Sequence, residues 1–332
     1  MSGIHILGTG AVGCHIAASL KANRNKVTLL LRSPDHLKDF RNRNNSITYR
    51  CQGKTDVVPD FDASVTTDTN DTSPIQSLVV ATKTNHTLKA LEPMASRLTP
   101  TSSILLMQNG MGVAEELMKS LWKNAAPPKI YVGVNRHAIE RMAPYDIHHH
   151  SGYNDTDALR IGRFPTTTTQ GQQQSIEKEE VPEFLQKMVA IPRLQAAVLP
   201  WEEIRVKIYK KLFVNSCING VASVLNTKNI GVIKDGNPGG IAMMRSICEE
   251  GYEVFKDEMP GETVESLMDM VLRINQEAGE NVSSTLQDIR AKRLTEVDYL
   301  NGYIVKMGLQ KGINVKSNQA IVNFIHAREV LY

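Results

Sequence analysis

Lys211, Asn215 and Asn219 recur every fourth residue in a stretch whose other side chains are largely apolar: Ile208, Leu212, Phe213, Val214, Cys217 and Ile218. On a helix that spacing sets the lysine and two amides in one narrow stripe. Desolvating such groups costs free energy unless they meet polar partners, so the stripe points to a cavity for a small polar ligand. Desolvation also lowers a lysine's pKa toward neutrality, which makes Lys211 a candidate acid–base group. The competing reading is a helix edge whose lysine reaches water along its stem while the asparagines cap nearby loops. A second polar run, Glu280 to Arg290, lacks proline and glycine and sets Ser284 and Asp288 four apart, with Glu296 shortly after. Hydroxyl, amide and carboxylate groups of this kind suit a small hydroxy acid; a solvated connector with a satisfied cap is the alternative.

The elements that would position these groups begin at the N-terminus. Ile4-His5-Ile6-Leu7 reads as a strand, Gly8-Thr9-Gly10-Ala11-Val12-Gly13 as a GxGxxG turn, and Cys14 to Ala22 as a helix. In that context the first glycine makes the turn, the second lets backbone approach a pyrophosphate, and the third packs helix on strand. The helix N-terminus adds N–H donors. Val27 to Leu31 reads as the second strand. At its end, where an NAD-preferring fold carries Asp or Glu, stand Arg32 and Ser33; a guanidinium there suits the 2′-phosphate of NADP(H). Gln76 to Ala81 and Ser103 to Met107 are further buried strands, with Lys83 and Asn109 just past them. The glycine turn, Arg32, Lys83 and Asn109 thus all follow strand carboxyl ends, the rim where open parallel sheets bind ligands.

Strand-like pieces continue over 130–134 and 159–162. His148, His149 and His150 lie between them and read as loop or edge residues without a metal, since adjacent strand residues cannot all face one ion. Thr166 to Gln174 is low in complexity and reads as a mobile surface loop, and a helix is expected over 176–190. After Pro200 only helical patterns follow, about 202–225, 240–257, 263–277, 296–310 and 317–331. Thr295-Glu296-Val297-Asp298 has the form of a capping box opening the fourth. The expectation is an α/β chain: a Rossmann-type dinucleotide-binding domain over 1–199, then an all-helical domain over 200–332, with substrate at the junction.

Composition sets the limits. The 332 residues are 41% hydrophobic and 22% charged, ordinary for a soluble two-domain protein. A net charge of +3 is too small to indicate nucleic acid or membrane as the main partner. The four cysteines form no CxxC pair, which suits a reducing compartment and argues against zinc. No apolar run approaches the roughly 18 residues of a spanning helix. The first strand begins too near Met1 to leave room for a cleavable presequence, so a cytoplasmic protein is expected. A homodimer is compatible with the helical half, although periodicity does not distinguish a dimer face from an interdomain one.

The chain resembles the ketopantoate reductase (2-dehydropantoate 2-reductase) family. The resemblance rests on Gly8 to Gly13, Asn109-Gly110-Met111-Gly112, Lys211-Leu212-Phe213-Val214-Asn215 with Asn219, Ser283 to Asp288, and Glu296 to Gly302, in the family's order. It implies NADPH-dependent reduction of ketopantoate to pantoate, in pantothenate and coenzyme A biosynthesis. By the same resemblance Lys211 is the general acid, and Glu296, also catalytic, would help hold the substrate's carboxylate, carbonyl and hydroxyl region; a carboxylate near the lysine can besides orient it and tune its charge state. Asn215, Asn219, Ser284 and a further asparagine, Asn229, would hold the substrate, and Arg32, Lys83 and Asn109 the cofactor. The sequence departs from the family pattern at Tyr209 (commonly Trp), Gly220 and Lys316 (usually Pro) and Thr285 (often Met). Reduction of another 2-oxo acid and a non-catalytic NADP-binding role are the alternatives.

Overall fold

The computed structural model describes residues 3–68, 71–165 and 180–331. The Thr/Gln-rich run expected as a loop, and the start of the helix expected from residue 176, lie outside the described residues.

Twelve strands are present among the described residues: β1 Ile4–Leu7, β2 Val27–Leu31, β3 Ile47–Cys51, β4 Lys54–Val58, β5 Asp62–Val65, β6 Ser77–Val80, β7 Ser103–Leu106, β8 Lys129–Asn135, β9 Ala138–Ala143, β10 Asp146–Ser151, β11 Leu159–Arg163 and β12 Ala196–Val198. The larger sheet has the order β12-β11-β8-β7-β6-β1-β2-β5. It is parallel except where β11 runs against β8. Its inner strands are continuous apolar runs, as burial on both faces requires. From β1 the chain steps outward to β2 on one side, and later to β6 on the other. The carboxyl end of β1 is therefore the switch point where such sheets bind ligands.

The helices of the first half are α1 Ala11–Ala22, α2 Pro34–Arg41, α3 Thr84–Leu91, α4 Val113–Leu121 and α5 Glu183–Val189. Gly13 through Leu20 of α1 are all buried. The reason is a second sheet, β4-β3-β10-β9, which packs on the helix from the side away from β1 and β2. That sheet corrects the reading of His148 to His150 as loop or edge residues. They lie on β10, an interior strand flanked by β3 and β9, and His149 is fully buried. Strand alternation buries residues 147 and 149 and turns 148 and 150 outward.

The remaining helices are α6 Trp201–Val214, α7 Gly220–Leu225, α8 Pro238–Phe255, α9 Val264–Glu277, α10 Ser284–Arg290, α11 Asn301–Lys311 and α12 Lys316–Glu329. The chain divides into two compact units, one of residues 1–108 and 114–204, the other of 109–113 and 205–332. The short segment 109–113 groups with the helices because Gly110, at φ +81°, lies against Tyr299. The Tyr299 carbonyl accepts from Met111 N at 2.8 Å, and a Cβ on Gly110 would fall 2.3 Å from that oxygen.

The capping box expected at Thr295 does not form. Thr295 Oγ1 accepts from Val297 N at 3.3 Å, and Asp298 bonds His326 Nε2 at 2.9 Å. A 3₁₀ turn over Val297–Tyr299 intervenes, and α11 begins only at Asn301. Asp298 is drawn off by a stronger partner on α12, held in turn by Glu329. Burial lowers the His326 pKa, but hydrogen bonds to Glu329 and Asp298 outweigh it and leave a net rise. The folded state thus binds the imidazole proton more tightly than the unfolded chain does. The resulting stabilisation is full below the unfolded pKa and fades as pH rises through the folded one. In urea titrations, His326→Gln is expected to destabilise at pH 5.5 by a few tenths of a kcal/mol at this half-exposed site, and less at pH 8.5.

Candidate active site

The dinucleotide turn follows β1 directly. Gly8 has φ +99°, and a Cβ there would meet Ala81 C at 2.6 Å; one on Gly13 would fall 1.8 Å from Gly8 O. Gly10 is different, for among the described residues no atom lies within 4 Å of its hypothetical Cβ. It is also the N-cap of α1 and supplies no side chain to the first-turn amides. An open glycine face beside uncapped N–H groups fits a pyrophosphate. Thr9 accepts through its carbonyl from the Cys14 thiol at 3.5 Å, while Ala11 and Val12 open the first turn half-buried.

Arg32 is exposed one residue past β2, its Nε 2.8 Å from His36 Nε2. Ser33 caps α2 through an accepted bond from His36 N. Lys83 is the exposed N-cap residue of α3, three residues past β6. All of these belong to the first unit, whereas half-buried Asn109 belongs to the second.

The expected helix 202–225, in the second unit from Arg205 on, is one rod of changing pitch: α6, a π-helical segment Asn215–Asn219, then α7. Nothing in residue propensity announces such a segment, and they concentrate at functional sites. Each four-residue step of an α-helix rotates a stripe by about 40°. The wider turn over 215–219 offsets that drift and keeps Asn219 in line with Lys211. The segment is held from outside: Asn301 Nδ2 donates to Ser216 O at 3.2 Å and to Asn318 Oδ1 at 3.0 Å. Asn318 Nδ2 in turn donates to Ile247 O and Glu250. Asn301→Ala would leave two buried oxygens without this donor. A loss of about 2–3 kcal/mol of unfolding free energy is expected in urea titrations; a loss below about 0.5 would show that the network is not what holds the segment.

Lys211 is half-buried and Glu296 is 5% exposed. Burial of the amine pulls its pKa down to about 8, and the Glu296 carboxylate pulls the other way. Asn219 Nδ2 lies 3.4 Å from Ser284 Oγ, so the second polar run does meet the stripe. That run is not a connector: Ser283 caps α10 by accepting from Leu286 N. Asp288, considered with Ser284 as a ligand group, is buried against Arg293, at 3.0 and 3.1 Å. Half-buried Asn215 opens the π segment. Buried Asn229 donates to Ala278 O at 3.1 Å, and its Oδ1 has no partner among the described residues.

Three of the four departures from the family pattern have a local setting that accommodates them. A Cβ on Gly220 would meet Ile321 Cγ2 at 2.9 Å and Asn301 Oδ1 at 3.3 Å, so the α12 contact needs a small residue. Tyr209 stacks on Phe255 and donates to Glu258. Lys316 is the first residue of α12, the position where proline is also favourable. Nothing in the structure explains Thr285.

Two family profiles match the chain: "Ketopantoate reductase PanE/ApbA" over residues 4–165 and "Ketopantoate reductase PanE/ApbA C terminal" over 203–329. The chain is 30% identical to a probable 2-dehydropantoate 2-reductase of Schizosaccharomyces pombe, over 98% of this chain and 96% of that one. Among solved structures, a D-mandelate dehydrogenase with NADH and anilino(oxo)acetate superposes with a TM-score of 0.78 at 21% identity, covering 98% of both chains. A PanE/ApbA family ketopantoate reductase from Ralstonia eutropha JMP134 gives 0.76 at 23%, again covering 98% of both.

Proposed function

Because the chain belongs to the ketopantoate reductase family, we propose that it reduces 2-dehydropantoate (ketopantoate) to pantoate with NADPH, a step of pantothenate and coenzyme A biosynthesis. The observation that carries this reading is the helical stripe of Lys211, Asn215 and Asn219, met by Ser284 Oγ at 3.4 Å from Asn219 Nδ2, with burial pulling the pKa of the Lys211 amine down to about 8. An acid so poised is protonated at neutral pH and gives its proton readily. NADPH, when bound, would supply the hydride for the ketone carbon. Lys211 Nζ donates the proton to the ketone oxygen, and its charge stabilises the alkoxide as it forms. The neutral amine then takes a proton from solvent, with Glu296 orienting it throughout.

Asn215, Asn219 and Ser284 hold the substrate's carboxylate, carbonyl and hydroxyl region, and the unpartnered Oδ1 of Asn229 is suited to accept from a hydroxyl. On the cofactor side, Gly8 to Gly13 would cradle the pyrophosphate, Arg32 and Lys83 would hold phosphate, and Asn109 would lie nearest the nicotinamide ribose. NADPH oxidation measured with ketopantoate and a series of other 2-oxo acids tests the reading. The kcat/KM for ketopantoate is expected to exceed the rest by at least about tenfold, a 1.4 kcal/mol preference in the transition state. Turnover of none of them would leave a binding protein.

Arg32→Ala tests the phosphate assignment. The Kd for NADPH is expected to rise about 10- to 100-fold while that for NADH stays within about twofold, since a charge-assisted bond is lost only where the 2′-phosphate exists. Equal weakening of both would sink it. A cytoplasmic location and a homodimer belong to the same reading. Among the described residues no helix is long and apolar enough to cross a membrane. Exposed Leu309 and Phe324 are apolar surface that a dimer would cover, and sedimentation analysis decides whether one forms.

A further inference from the structure

Three histidines from distant parts of the sequence converge inside the first unit: His15 on α1, His137 in the turn between β8 and β9, and His149 on β10. They are 1%, 6% and 0% exposed, and one ring nitrogen from each lies within 4.8 Å of the others. The hydrogen bonds are consistent with one set of protons, and the Ser151 backbone also bonds the His149 imidazole. His137 Nε2 is 3.0 Å from the Leu194 carbonyl, which only accepts, so Nε2 carries the hydrogen and Nδ1 is a lone pair. Nδ1 accepts from His149 Nε2 at 3.0 Å. His149 Nδ1 then accepts from the Tyr49 hydroxyl at 2.7 Å, and Tyr49 accepts from His15 Nδ1 at 2.9 Å. His15 Nε2 is left as a buried lone pair with no partner among the described residues.

We propose that His15, His137 and His149 form a binding site for a divalent first-row transition ion of the zinc class. Imidazole nitrogen suits such ions, and the outer shell they need is already built. A coordinating histidine usually donates through its second nitrogen to a carbonyl or other oxygen. Here His137 Nε2 faces Leu194 O, while His15 Nδ1 and His149 Nδ1 both face Tyr49 Oη. Binding through His15 Nε2, His137 Nδ1 and His149 Nε2 requires one rearrangement. The His149 proton moves from Nε2 to Nδ1, and the Tyr49 hydroxyl turns its own proton away. The proton count of the cluster is unchanged.

Desolvation by burial holds all three imidazoles neutral, His149 at about 4, so their lone pairs are not lost to protons at neutral pH. A tetrahedral ion at about 2.0–2.1 Å sets its nitrogens about 3.3–3.4 Å apart, so no pair of ligand nitrogens has to close by more than about 1.5 Å. The nearby cation, Arg193, lies behind Tyr49, 4.4 Å from its ring, and pairs with Asp56 at 3.7 Å.

The surface offers a rival chelate, since the His148 and His150 rings lie 3.9 Å apart, tilted to one another, and His150 meets Glu140 at 3.0 Å. The test therefore uses the untagged full chain, refolded with Zn²⁺ or Co²⁺ because the cluster is buried, freed of loose metal and assayed by atomic emission. About one ion per chain is expected, with a tetrahedral Co²⁺ absorption band and a raised thermal midpoint. The double variant His148→Ala/His150→Ala should keep the ion, and His15→Gln and His149→Gln should lose it. Less than about a tenth of an equivalent in the wild type, a measurement that needs no variant, overturns the proposal. So does binding that survives both interior substitutions.

Discussion

Lys211→Ala is expected to lower kcat for ketopantoate reduction by about 10²- to 10⁴-fold, the range of a positioned general acid, while NADPH binding changes little. The wild-type pH profile gives an independent check. A lysine with its pKa at about 8 is protonated below that pH and neutral above it. The value of kcat/KM should therefore hold at neutral pH and fall tenfold per unit once pH rises past about 8. Glu296→Gln removes a contribution that raises this pKa while the lowering by burial remains, so the falling limb should move to lower pH. Equal rates for wild type and Lys211→Ala would remove the proposed acid. A limb that stays in place in Glu296→Gln would mean that the titrating group is some other one.

What sequence reveals here depends on whether a feature is local. Strand, glycine turn and helix from Ile4 to Ala22 are contiguous, and Gly8 and Gly13 answer to neighbours in the turn itself or just past the adjacent strand. The Lys211 stripe was legible for the same reason, because four-residue spacing sets its members near one face of a helix, although the wider π turn completes the alignment. The π segment was not, since it is held by Asn301 and Asn318, side chains on later helices. The capping box at Thr295 matched a sound local rule and lost to His326, a partner more than two dozen residues on. His149 was hidden in the same way. Its period-two neighbours could have hinted at burial, but His15, Tyr49 and His137 come to it through a second sheet in which β3 and β10 pair across nearly a hundred residues. Asn109 follows a strand of the first unit yet clusters with the helices, through a glycine contact to Tyr299 that no spacing encodes.

The three turn glycines should separate into two behaviours when each is replaced by alanine. Gly13→Ala forces a Cβ to 1.8 Å from Gly8 O, a backbone atom that cannot rotate away, so β1 and α1 must part. A loss of about 3 kcal/mol or more is expected, at the upper end for overpacking. Gly8→Ala adds strain at φ +99° to a clash with Ala81 backbone and should behave alike. Gly10→Ala meets open space at φ −78°, which alanine adopts without strain, so urea titration should move by no more than about 0.5 kcal/mol. Its Kd for NADPH should nonetheless rise at least about tenfold, or 1.4 kcal/mol, because the new methyl stands where the pyrophosphate must approach the backbone. Stability retained with binding lost would tie the open face of Gly10 to the cofactor. If Gly10→Ala binds NADPH like the wild type, the pyrophosphate does not lie against this turn, and the roles given to Gly8 through Gly13 fail together.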